Sequence, residues 1–474
     1  MTAAGLLALA VAGAACGQGA TSSRADTTSP ASAAPSTTTA PTPTTTTGAA
    51  AAWTTYGDGG QRQSAAPSFP SVTHTPAEAW TSAPLDGAVY GQPLVFDGQV
   101  LVATEADTVY GLDAATGSTS WSVHLGTPVP ADALPCGDIT PEVGVTSTMV
   151  VDPASGTLFA SAETDEAGTV HHVLAAISTS AHRVLWTADL DQPGWSAAAQ
   201  LQRAALALAD GLVLVGFGGN YGDCGSYHGW VLGVPVSGAG ATLVYRVPTA
   251  NQGAVWAPGG VTVDPGGAIY AATGNGSAGP GQAFDHGNAV VALSPTLTET
   301  GYFAPAQWAQ ENAADADLGS TAPISLGDGR LFIVGKQATG YLLQGDALGG
   351  IGHPLAAVAL CNSRGANAYD APALFVVCTD EGSLVRVVVG PGDTLTRGWS
   401  WRSPTGGAGS PTVAGGVVWS VDPGASVLYG IDESSGATRY AVTLGTGTPT
   451  HFAAVTAADG LLIVAGSSAV EALH

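Results

Sequence analysis

The chain has 474 residues, 36 of them acidic and 12 basic, for a formal net charge of -24 and a pI near 4.4. A surface so acidic repels phosphate backbones and anionic headgroups, which argues against nucleic acid and leaves a membrane only through a covalent anchor. Charged residues are 10% of the chain while Gly (66) and Pro (30) are abundant, a balance that favours short strands and turns over long charged helices.

The N-terminus, "MTAAGLLALAVAGAACGQG", contains an apolar run of signal-peptide length that is too short to span a bilayer as a helix, and it lacks a basic leader. "GAAC", ending at Cys16, is similar to a bacterial lipobox, with Gly13 where Leu or Val is usual. On that reading residues 1–15 are a signal peptide and Cys16 is the lipidated first residue of an exported protein. An uncleaved or differently cleaved signal is the alternative. Residues 20–52 hold no aromatic or large aliphatic side chain and cannot bury enough apolar surface to offset their ordering entropy. Residues 16–52 are therefore expected to form a disordered Ser/Thr/Pro/Ala stalk.

From residue 53 onward one pattern recurs. "GQVLVATEADTVYGLDAATGSTSW" (Gly98 to Trp121) aligns with "GRLFIVGKQATGYLLQGDALGG" (Gly329 to Gly350), and with one inserted residue with "GGVVWSVDPGASVLYGIDESSGATRY" (Gly415 to Tyr440). Each unit reads as an apolar strand, a polar turn, an alternating strand, an Asp/Gly turn and a last strand often ending in Trp, preceded by one further strand. Four antiparallel strands at a period of about 45 residues are the signature of a propeller blade. Units fall near 87–126, 144–190, 197–248, 253–305, 316–360, 361–403 and 406–445. The stretch 449–474 supplies only about three strands, and "EAWTSAPL" (Glu78 to Leu85) can supply the fourth. The expected fold is all-β: an eight-bladed β-propeller over residues 53–474, its ring closed by the N-terminal segment, which removes the exposed sheet edge. Aspartates in "LDAATG" and "VDP" fit Asx turns, and Trp121 and Trp186 fit packing between blades.

Besides Cys16 there are four cysteines, an even number suited to two disulfides in an exported chain. Cys361 and Cys378 flank one hairpin-sized segment and are expected to pair, leaving Cys136 with Cys224. No spacing suits zinc.

Because the repeat fixes register, equivalent positions can be compared around the ring. The residue seven places after the start of each second strand is, in chain order, Glu105, Glu163, Gly218, Gly274, Lys336, Asp380, Asp422 and Ser467. These positions end the second strands and should gather on one face as a candidate binding site. Polar turns produce such a ring in any propeller, so the register alone leaves both readings open. Lys336 is the chain's single lysine.

"WTTYGDGGQRQSA" (Trp53 to Ala65), "GVTSTMVVD", "VYGLDAATGSTSW", "AATGNGS" and "DADLGSTAPISLGDGRLFIVGKQATGYLL" resemble, in order, segments of the quinoprotein alcohol dehydrogenase-like superfamily, over essentially all of residues 53–474. The resemblance implies an eight-bladed propeller of pyrroloquinoline-quinone-type repeats. It also implies a calcium ion held by Glu163, Asn275 and Asp315, a quinone contacted by Lys336, and Asp315 as catalytic base. Two features depart from the pattern: no two cysteines are adjacent, and Ala314 stands where a Trp would precede the aspartate. Two functions follow as expectations. The first is a lipid-anchored, monomeric binding or scaffold module that takes a protein or small-molecule ligand on its face. The second is a calcium- and quinone-dependent dehydrogenase of an alcohol or sugar.

Overall fold

The computed structural model describes residues 52–474. Cys16, residues 1–15 and all but the last residue of the expected stalk lie outside the described residues. The remainder is an eight-bladed β-propeller.

Blade 1 shows how the repeat folds. Leu94–Phe96, Gln99–Ala103, Thr108–Asp113 and Thr119–His124 pair antiparallel in sequence order, from the axis outward. The second strand is the most apolar, and Val100, Leu101 and Val102 are essentially inaccessible because both faces of a middle strand pack on neighbouring blades. The turn after the third strand is an Asx turn: the Asp113 carboxylate accepts from the Ala115 and Thr116 amides at 3.1 and 2.9 Å. Asp432 repeats it in blade 7 with the amides of Ser434 and Ser435. Each such turn ends in a glycine of positive φ, Gly117 and Gly436, over which lies a Trp from the preceding blade's outer strand. Trp80 Nε1 donates to the Ala114 carbonyl at 2.9 Å, and Trp399 Nε1 to that of Glu433 at 3.0 Å. A side chain at either glycine would collide with the indole. The outer-strand tryptophans thus join one blade to the next.

Blades 2 to 7 follow over 150–189, 207–246, 262–304, 324–359, 368–402 and 412–443. Blade 8 combines Thr456–Ala458, Leu461–Ala465 and Val470–Leu473 with Glu78–Thr81, the outer strand expected from the sequence. The blades are not uniformly four-stranded. Gln200–Leu201, Gly350–Ile351 and Ala65–Ala66 add short fifth strands to blades 3, 4 and 7. Both expected disulfides are present: Cys136–Cys224, 88 residues apart, and Cys361–Cys378, 17 apart.

The N-terminal segment also lines the axis. Trp53 bridges to Val95 of blade 1, and the Thr54 carbonyl accepts from Val151 of blade 2. The Thr55 hydroxyl donates to the Leu206 carbonyl beside blade 3. The carbonyls of Gly60, Gln61, Gln63 and Ser64 then accept from Val263, Ser325, Tyr369 and Val413 of blades 4 to 7, at 2.8 to 3.0 Å. Residues 53–64 therefore circle the channel and occupy the inner edge of one blade after another. At their centre, Arg62 is 2% exposed. Its guanidinium donates to Thr55 Oγ1 and to the carbonyls of Tyr56, Leu206 and Val261, so it is buried without a carboxylate yet fully hydrogen-bonded.

Candidate functional site

The second strands end on the face where the innermost strands begin, termed the upper face below. The residues four places ahead of Leu94, Ala207, Ala368 and Thr456, which share one register, are Tyr90, Arg203, Arg364 and Phe452. They ring the channel mouth above the level encircled by residues 53–64. Trp256, entering blade 4, and Phe452, entering the opposite blade 8, bring their rings within 6.4 Å, so both reach the axis. Lys336 Nζ lies 5.5 Å from the Trp256 ring. The single lysine accordingly faces the channel mouth and is not a solvated turn residue.

Local structure explains how Lys336 is held. The helix Trp308–Ala313 stops at Ala314, and Asp315 takes a left-handed backbone (φ 53°) that turns the chain inward. Asp317 is then buried, and its Oδ2 lies 2.7 Å from Lys336 Nζ, with Asp315 Oδ1 at 3.0 Å. Asp317 Oδ1 accepts from the Asn275 amide at 2.6 Å, and the Asp317 carbonyl from the Lys336 amide at 2.8 Å. Gly274 holds the Lys336-equivalent position in blade 4, where a Cβ would come 2.8 Å from Asp317 Oδ1. That glycine makes room for the carboxylate. Burial opposes the charge on Lys336, but the two aspartates outweigh it and raise its pKa. Burial likewise raises Asp317, with Lys336 pulling the other way.

Glu163 belongs to a different neighbourhood. It pairs across its hairpin with His172, and its Oε2 lies 3.5 Å from His172 Nε2. Both side chains are at most 2% exposed, and His172 is wedged edge-on against Trp195 and Phe217. Burial pushes the Glu163 carboxyl up, partly offset by His172. For His172 burial works downward, but Asp191 and Glu163 outweigh it and lift the imidazole to about 9. Around Gly144 two further acids are buried. Glu105 Oε2 accepts from the Gly144 amide and Thr146 Oγ1, and burial pushes Glu105 up to about 7. Asp107 is inaccessible, neither oxygen has a hydrogen-bond partner among the described residues, and burial with Glu105 and Glu163 nearby pushes it up to about 9.

The structure therefore brings Lys336, Asp315, Asp317 and the Asn275 backbone together, and sets Glu163 apart. Asp315 is 65% exposed and occupied by Lys336. Among the described residues no group of three or more His, Cys, Asp or Glu side chains is arranged to hold a metal ion. No chemical step is derived through the calcium–quinone centre that the resemblance implied, since Glu163 faces His172 and Asp315 faces Lys336. Register analysis missed Asp317, Trp256 and Arg203. The first two lie between or before the compared strand ends, and Arg203 precedes an innermost strand. Beside the mouth, a cavity of about 490 Å³ is lined by Asp138, Leu201, Asn220, Tyr221 and the Cys136 side of the disulfide.

A family model described as outer membrane protein assembly factor BamB matches residues 71–165. No curated protein matches the chain. Among solved structures, quinohemoprotein alcohol dehydrogenase ADHIIG from Pseudomonas putida HK5 superposes with a TM-score of 0.69 at 14% identity, over 89% of this chain and 80% of that one. The quinohemoprotein alcohol dehydrogenase from Comamonas testosteroni gives 0.65 at 15%, with the same coverage. BamB from Moraxella catarrhalis gives 0.57 at 13%, over 84% of this chain and 99% of that one. At such identities the likeness is one of fold, shared by dehydrogenases and an assembly factor alike. Blade count, repeat pattern and these likenesses agree that the chain folds as an eight-bladed β-propeller.

Proposed function

We propose that this protein is an extracytoplasmic binding or scaffold module, tethered through Cys16 and the stalk of residues 16–52, whose channel mouth receives a ligand or partner group. The observation that carries the reading is the split donor set. Glu163 faces His172, while Asp315 and Asp317 neutralise Lys336. Two disulfides favour an oxidising compartment, consistent with export. A second reading, a quinone-dependent dehydrogenase, is favoured by the Lys336–Asp315 contact, which puts a cation and a carboxylate together at the mouth. Dye reduction with primary alcohols and aldoses, after incubation with pyrroloquinoline quinone and calcium, separates the two. The binding reading expects no turnover above the protein-free control. Turnover that requires both additives and disappears in Asp315→Asn would replace it with the dehydrogenase.

A further inference from the structure

Two arginines are buried near the axis, and they differ in one respect. Arg62 spends its guanidinium on four protein acceptors. Arg203 is 6% exposed, makes no hydrogen bond or ion pair among the described residues, and its Nη2 is fully enclosed without a partner. Its contacts are aromatic: the guanidinium carbon lies 5.8 Å from the Tyr90 ring and 5.7 Å from the Phe452 ring. Tyr90 enters blade 1 and Phe452 blade 8, so Arg203, entering blade 3, reaches across the channel mouth. Among the described residues, Glu105 Oε1 is also buried without a partner, and it lies within electrostatic reach of Arg203, as does the Tyr56 hydroxyl from the encircling segment. Burying a guanidinium that makes no hydrogen bond is costly, and cation–π contacts recover only part of that cost.

We propose that Arg203 anchors a small-molecule monocarboxylate in the channel mouth, its planar fork pairing with the carboxylate while Tyr90, Phe452 and Trp256 pack against an apolar or flat body. This deepens the binding reading above and rests on it. Guanidinium geometry matches a carboxylate in two parallel hydrogen bonds. The three rings are each half-buried, leaving apolar surface toward the mouth. Glu105 and Asp138 act on Arg203 from nearby, so a ligand with one negative charge meets less repulsion at the mouth than phosphate, which carries up to two. Among the described residues the mouth offers no second cation free for a second negative charge, because Lys336 is held by two aspartates and Arg364 by Asp380.

The test is calorimetric titration of 1-naphthoate, its neutral analogue 1-naphthylmethanol, and inorganic phosphate into the wild type, Arg203→Met and Lys336→Met. The proposal expects naphthoate to bind the wild type at least about tenfold more tightly than the alcohol, with that preference lost in Arg203→Met. Arg203→Met should also melt no lower than wild type, because it keeps the stem and removes an unpaired buried charge, so lost binding would not reflect unfolding. Equal binding of acid and alcohol, unchanged in Arg203→Met, would leave the mouth as a ligand site and overturn Arg203 as its anchor. Preferential binding of phosphate would overturn the carboxylate assignment. If neither naphthyl compound binds, the proposal fails together with the binding reading for small ligands.

Discussion

Lys336 and Asp317 form an ion pair whose side chains are 16% and 5% exposed, so each needs the other more than a surface pair would. Lys336→Met keeps the stem volume but strands the Asp317 carboxylate, and should cost about 3 kcal/mol in denaturant unfolding. Adding Asp317→Asn should recover most of that loss; a double mutant no better than the single would show that the pair is not the source. Asp107 gives a pH-dependent counterpart. Its carboxyl is pushed up to about 9, so the folded protein keeps a proton that the unfolded chain sheds above about pH 4. The folded state then binds more protons, and stability falls as pH rises between those values. Asp107→Asn removes the term, so its advantage over wild type should grow by at least about 1 kcal/mol between pH 5 and pH 8. An advantage equal at both pH values would mean that Asp107 is not held neutral.

The strands and turns were legible because they rest on local chemistry. Asx turns, positive-φ glycines and a Trp at the end of the outer strand recur at fixed offsets, so blade borders and the closing strand Glu78–Thr81 could be read directly. The disulfides were legible for a similar reason, since few cysteines leave few pairings. Their energetics differ with the loop each closes: 88 residues for Cys136–Cys224 against 17 for Cys361–Cys378. Replacing the first pair with serines should cost about 1.5 kcal/mol more than replacing the second, by the chain-entropy account. Equal losses in parallel urea unfolding of the two double mutants would contradict it. The encircling segment Trp53–Ser64 was quoted for its resemblance, yet nothing in its spacing showed that its carbonyls would serve successive blades. Those hydrogen bonds are backbone contacts between residues up to hundreds of positions apart, and sequence periodicity does not encode them. Arg203 escaped for a related reason: its role depends on rings from blades 1 and 8, across the axis.

At the scale of the whole molecule, register compares positions around the ring but does not say which of them meet. The choice of partner decides that: Glu163 meets His172 and Asp315 meets Lys336, contacts that register does not encode. The mouth that results has a neutralised lysine, three half-buried aromatic rings and one unpaired arginine, which suits holding a ligand better than activating one. Calorimetric titration of pyrroloquinoline quinone, with and without saturating calcium, into the wild type and Glu163→Gln tests this most directly. The account predicts that calcium changes the quinone affinity by less than about threefold, and that Glu163→Gln leaves it unaltered, a difference under about 0.7 kcal/mol. Calcium-dependent quinone binding that Glu163→Gln abolishes would contradict it.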